Sequence, residues 1–347
     1  MRHRFLASMV VLAVVITVVL LATVPVAGQA PTAAVKKAKA SALPRTPWGD
    51  PDLQGIWNNN TSTPLERPGE FAGKDLLADD ELAEFTVRQQ ASRENRDSRE
   101  GAGTDVDVAR AYNAHWFPVP GKAIKRTSLI LDPADGRIPA LTPEWKKRAD
   151  AVLAARQRPP AGPEDRNLGE RCITFGVPRS PGGYNNHFLI VQSPGYVAIV
   201  IEMIHEARII PLDGRPHIPQ TMRQWLGDSR GHWEGNTLVV DTTNFTDRTS
   251  FRGSGEGLHL VERFKRVDAD TIDYEFTVDD ATTWAKPWTV AYPLTTLQSD
   301  VGGADGIQVP LMFEYACHEG NYGLAGQLSG ARAQEKAAAE AAKKGSK

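Results

Sequence analysis

The sequence predicts a mainly β protein: an antiparallel meander closed into a barrel, with a helical and loop-rich insertion between the first strand and the rest. Three observations carry that reading. From residue 186 onward, short segments with apolar residues at every second position follow one another: NHFLIVQS, GYVAIVIEM, ARIIPL, WEGNTLVVDTTNF, LHLVERFKRV, TIDYEFTVDD and WTVAYPLT. Between them stand Pro194-Gly195, Asp213-Gly214, Glu234-Gly235-Asn236 and Asp268-Ala269-Asp270, residue types that make hairpin turns. Gly55-Ile56-Trp57 adds an early short strand, ahead of a long stretch that lacks the alternation. Successive hairpins build a sheet whose free edges vanish when it curls into a barrel. A sandwich of two sheets is the alternative architecture.

The first residues set the compartment. Arg2, His3 and Arg4 precede an uncharged apolar run that ends near Ala27, and small residues follow at Ala27, Gly28 and Ala30. Basic, apolar, then small is the order of a secretory signal peptide, here over residues 1–28. The competing reading is a retained anchor helix, because the run approaches a bilayer span. Residues 29–46 are rich in Ala, Lys and Pro and read as a flexible spacer. One domain over residues 47–330 follows, with its insertion at 70–160, and then an Ala/Lys/Glu-rich tail, loose or helical, over 331–347. Within the insertion, one helix starts with Asp79 or Asp80 as its cap, and a second covers residues 143–157. The expectation is a secreted or periplasmic protein with no membrane span once the leader is removed.

Composition narrows the partners. Hydrophobic residues make up 41% of the chain, enough for a real core, and 40 basic residues nearly balance 42 acidic ones. No basic run with interleaved aromatics occurs in the domain, which argues against nucleic acid. Cys172 in GERCITFG and Cys317 in YACHEGNYG are the only cysteines, and in an exported chain they point to one disulfide. A reactive thiol or a metal ligand is the alternative. His205, His217 and His232 are too widely spaced for a metal-binding signature, so no metal is expected. Phosphate-loop, dinucleotide-binding and nucleophile-elbow motifs are absent, and no cofactor is expected.

Candidate site residues come from breaks in strand alternation. In the hairpin at residues 258–279, Leu258, Leu260 and Phe264 share one face, and Ile272, Tyr274, Phe276 and Val278 share the matching face of the return strand. Glu262 sits in that apolar row. Turned into a barrel, its carboxyl loses water and becomes a candidate general acid or base; the structural alternative is an ion pair with Arg208 or Arg266. The segment 195–205 has apolar residues in both rows, which predicts a strand covered on both sides. From a regular strand either Glu202 or His205 points inward, not both. His205, Glu206 and Arg208 form a rim group suited to an anion or a proton, or a solvated turn. If Asp241 is inward it joins Glu262; otherwise Asn244 supplies a neutral polar contact. His232 is a further candidate, while Trp233 reads as packing. The Gly-rich loop 176–186 carries Arg179, Tyr184, Asn185 and Asn186 toward the barrel mouth.

The Gly55-x-Trp57 step followed by an antiparallel meander resembles the lipocalin (calycin) superfamily, over the early strand and roughly residues 185–295. WLGDSRGHWEGNTLVVDTTNF and YACHEGNYG also resemble a group of exported bacterial proteins without an established activity. The resemblance implies a central pocket for a small, partly apolar molecule and transfers no catalytic residues. Three functions follow as expectations. The first is a small-molecule binder, with Phe264, Tyr274, Phe276 and Tyr184 as wall and Glu202, Arg208, His232 and Asn244 as polar contacts. The second is a cofactor-free lyase, isomerase or hydrolase using Glu262 with His205 or Asp241. The third is an envelope interaction module without a pocket. The oligomeric state stays open.

Overall fold

A computed structural model describes residues 43–94, 124–156, 158–182, 184–248, 251–296 and 312–345. The leader and residues 29–42 of the spacer lie outside the described residues. In chain order the elements are β1 (Gly55–Asn58), α1 (Asp79–Glu94), β2 (Ile130–Asp132), α2 (Pro143–Arg156), β3 (His187–Ser193), β4 (Tyr196–Ile201), β5 (Glu206–Pro211), β6 (Asp228–Glu234), β7 (Thr237–Thr243), β8 (His259–Arg266), β9 (Thr271–Asp279), β10 (Trp288–Thr296) and α3 (Tyr322–Gly345). Both insertion helices fall where the sequence places them, and the tail is helical from Tyr322 onward.

The strands form one antiparallel sheet, ordered β5-β4-β3-β1-β10-β9-β8-β7-β6, with β2 also on β10. β1 is the closing piece. Trp57 stands opposite Phe188 of β3 on one side and Thr296 of β10 on the other, so the two ends of the meander meet through it. The later hairpins other than β4–β5 turn at Gly-containing or Asp-containing segments, as Glu234 opposite Thr237 illustrates at the β6–β7 turn. The ring breaks at one place only: among the described residues, β5 and β6 share no ladder although they are consecutive in the chain. The result is a nearly closed antiparallel barrel.

Its interior is packed with side chains. Trp57, Phe264, Tyr274, Phe276, Trp288 and Tyr292 are each at most 2% exposed. Their rings touch in chains, Phe264 to Tyr274 at 4.7 Å and Tyr274 to Tyr292 at 5.2 Å between centroids. Burying each such side chain stabilises the fold by roughly 1.5–3 kcal/mol, and these contacts make the barrel axis a core. Trp57 is fixed further by its indole N–H, which donates to the Leu53 carbonyl at 2.9 Å, and by Arg266 lying 5.3 Å over its ring.

Two expectations about local structure need correction. The strand carrying Tyr196 ends at Ile201, and its outer row is not covered: Tyr196 is exposed and Ala198 and Val200 are half-buried. β2 and the opening of β6 at Asp228 lack the alternation that marks the other strands and were not expected as strands.

Candidate functional site

The register of β4 against β5 decides which side chains enter the barrel at its open seam. Ile201 pairs with Glu206, Ile199 with Arg208 and Val197 with Ile210, so Glu206, Arg208 and Ile210 share the inner face with the β4 core residues. Between the strands, residues 203–205 make a tight turn in which Ile204 (φ 60°) and His205 (φ 46°) both adopt left-handed backbone. For a β-branched residue this conformation is strained, and Ile204 is held in it by burial. The turn resets the alternation. Strand phase from β4 would carry His205 inward; instead His205 is exposed, and Glu202, at the start of the turn, is buried.

Glu202 is tied down at both oxygens. One meets His187 Nδ1 at 2.5 Å, and the other accepts from the Phe313 amide at 3.2 Å. Burial pushes its carboxyl up, but these bonds outweigh it and the net shift is downward. His205 donates Nδ1–H to the Tyr315 carbonyl at 2.9 Å. Both contacts reach residues 312–321, a strap that the Cys172–Cys317 disulfide joins to residues 169–174, with Cα atoms 5.6 Å apart. Asn321 adds a bond to the Glu170 carbonyl at 2.9 Å.

Glu262 faces inward, as its place in the apolar row predicts, and it is paired. Arg208 donates to both of its oxygens, Nη1 at 3.1 Å to Oε1 and Nη2 to Oε2, and the Tyr274 hydroxyl donates to Oε1 at 2.7 Å. Arg208 Nη2 also reaches Ser229 and Thr242, at 3.2 and 3.4 Å. Burial would lower the Arg208 pKa, but the Glu262 charge and hydrogen bonds raise it on balance. The Tyr274 hydroxyl is pushed well above its ordinary range by burial and then by the Glu262 charge. This is the arginine pairing foreseen as the structural alternative, with Arg208 as partner; Arg266 lies elsewhere, over Trp57.

Asp241 does not join Glu262. Its neighbours Val240 and Thr242 point inward opposite Glu262 and Leu260, so Asp241 faces out. There it accepts from His259 Nε2 at 2.8 Å and lies 2.9 Å from His217 Nε2. The His259 hydrogen bond is the largest influence and, with His217, lowers the Asp241 pKa despite partial burial; the same bond raises that of His259. Asn244 is buried with φ 61°, and its amide donates to the carbonyls of Ile218, Pro219 and Met222, where it fastens the β5–β6 loop. His232 lies exposed beside Glu234, 3.2 Å away. Phe264 and Phe276 belong to the core, and Tyr184 and Trp233 pack half-buried at its edge.

The open seam holds a cleft of about 760 Å³. One wall is β5 with the preceding turn, from Ile204 to Ile209; another is residues 223–229; Cys172, Ile173 and Thr174 close the third side. At its far end the seam shuts tightly: a Cβ on Gly231 of β6 would lie 2.8 Å from Ile210 Cγ2 and 2.6 Å from Leu212 Cδ2. Glu206 stands in the cleft wall, 7% exposed, and neither carboxylate oxygen has a well-formed hydrogen bond. Burial raises its pKa against the opposing pull of the Thr174 hydroxyl, the Arg179 charge, the Phe175 amide and the Arg208 charge. The sequence shows Glu206 only as part of a rim group. Asp228, Ser229, Trp225 and Leu226 carry no signal for the cleft, because strand closure brings them there.

No known protein family, curated protein or solved structure matches this chain.

Proposed function

We propose that this protein binds a small amphipathic molecule in the seam cleft between β5 and β6. The observation that carries the reading is the cleft itself, of a volume within the range of roughly 300–1,000 Å³ in which small molecules are bound. Ile173, Ile204, Ile209, Trp225 and Leu226 supply apolar wall, and His205, Glu206, Arg208 and Asp228 supply polar groups. The core aromatic chains occupy the barrel axis, which favours the seam over the axis as the binding place. A lipocalin-type ancestry is part of this proposal, supported by the Gly55-x-Trp57 strand at the point where the meander closes. Export to an oxidising compartment is another part, supported by the disulfide. Among the described residues, no helix is long and apolar enough to cross a membrane.

A second reading, acid–base turnover of the bound molecule, is favoured by Glu206. Burial raises its pKa, the direction that suits a general acid, and His205 beside it at the cleft rim donates its Nδ1–H to the Tyr315 carbonyl. Native mass spectrometry of the full-length protein, before and after denaturation, tests both readings. Binding predicts a discrete adduct released on unfolding, and a spectrum of bare protein that also fails to take up amphipathic probes refutes it. Turnover further predicts that Glu206→Gln retains the adduct unchanged while the wild type converts it.

A further inference from the structure

His217 lies in the β5–β6 loop, and the far part of that loop, residues 223–227, forms one wall of the cleft. Its two ring nitrogens face two different carboxylates. Nδ1 is 2.9 Å from Asp228 Oδ2 on β6, and Nε2 is 2.9 Å from Asp241 Oδ1 on β7. A neutral imidazole has one N–H: it donates to one carboxylate and turns a lone pair on the other. Only the doubly protonated ring satisfies both. The remaining charges around it are themselves engaged. Arg230 on β6 donates to Asp228 Oδ1 at 2.7 Å and, through Nε, to the Pro216 carbonyl at 3.0 Å. His259 on β8 donates to the second oxygen of Asp241 and stands opposite Asp279 of β9.

We propose that His217 is a proton-operated latch on the loop that walls the seam cleft. Protonated, it clasps the loop to the outer face of β6 and β7. On losing its proton it releases one carboxylate, and the loop end nearest residue 217 loosens. Asp228 couples latch to cleft, because this residue is part of the cleft lining while its carboxylate accepts from the Ile218 amide at 3.1 Å and receives His217. Asn244 fastens the loop through neutral bonds to Ile218, Pro219 and Met222, so the loop loosens without detaching. The cleft then admits or releases its occupant more readily as pH rises. That last step rests on the cleft being a binding site; the latch itself does not.

Hydrogen exchange of the full-length protein, read peptide by peptide between pH 5.5 and 8.5 and corrected for intrinsic rates, tests the latch without any ligand. Losing one charge-assisted bond corresponds to a fall in loop protection of about tenfold or more over residues 213–218, the end nearest the latch. Peptides of β8 and β9 stay unchanged. Asp241→Asn should keep the loop protected across the range, because an amide donates to neutral His217 while its oxygen still accepts from His259. His217→Gln should leave the loop weakly protected at every pH. Wild-type protection that ignores pH, or a fall that persists in Asp241→Asn, overturns the proposal. A pH-dependent loop in a protein that takes up no ligand retains the latch and removes only the binding role of the cleft.

Discussion

A buried carboxylate stays charged only where donors replace the water it has lost, and the barrel holds two that differ in this respect. Glu262 has two guanidinium nitrogens of Arg208 and the Tyr274 hydroxyl around it; Glu206, two residues from Arg208 on the same inner row, has no well-formed bond. The first arrangement is structural. Removing either partner strands the other, so Glu262→Leu and Arg208→Met should each destabilise by about 3–5 kcal/mol. The double variant should lose clearly less than the sum, and denaturant melts of the cycle check this. The second arrangement predicts a pH effect of definite sign. The folded-state pKa of Glu206 lies above its unfolded value, so its contribution is intact below about pH 4.3 and is lost as pH rises through the folded value. Glu206→Gln, neutral at all pH, should therefore match the wild type near pH 4 and exceed it in stability at pH 8. Equal differences at both pH values would remove the desolvated carboxylate from the account.

The turn at residues 203–205 and the strap at 312–321 decide what the seam presents. The turn shifts the inner row from His205 to Glu206, and the strap takes the hydrogen bonds of Glu202 and His205. The disulfide that holds the strap closes a loop with a sequence separation of 145 residues. In the chain-entropy view, such a loop stabilises by up to about 5 kcal/mol. Replacing both cysteines with serine should lower stability by a large part of that figure and expose the Phe313 amide to exchange; a Tm unchanged within a degree or two would contradict it. Much at this scale was legible. Period-two alternation and Gly or Asp turns revealed seven of the later strands, a helical period revealed the helices at Asp79 and Pro143, although Asp79 lies inside the first turn rather than at the cap, and Glu262 stood out as the one charge in an apolar row. The turn was not legible. Nothing in Met203-Ile204-His205 signals left-handed backbone, since no glycine or asparagine stands there, and the packing that imposes it comes from elsewhere in the chain. Asp241 was ambiguous because Val239, Val240 and Thr242 give both faces of β7 similar polarity.

The barrel closes where its first and last strands meet and opens in the middle of its meander. β1 joins β3 to β10, while β5 and β6, neighbours in the chain, stay unpaired. Aromatic packing along the axis leaves that seam as the place where a core, a loop and the disulfide-bonded segment 172–174 converge around open space. Ala207 lies in the cleft wall, exposed and on the outer side of β5, so a large side chain there fills the cleft without entering the core. Native mass spectrometry comparing wild type with Ala207→Trp bears most directly on the seam as binding site. The account predicts a ligand-bound wild type and a folded, ligand-free Ala207→Trp variant with an unchanged circular dichroism spectrum. A folded variant that carries the same ligand at the same occupancy would place binding elsewhere and contradict it.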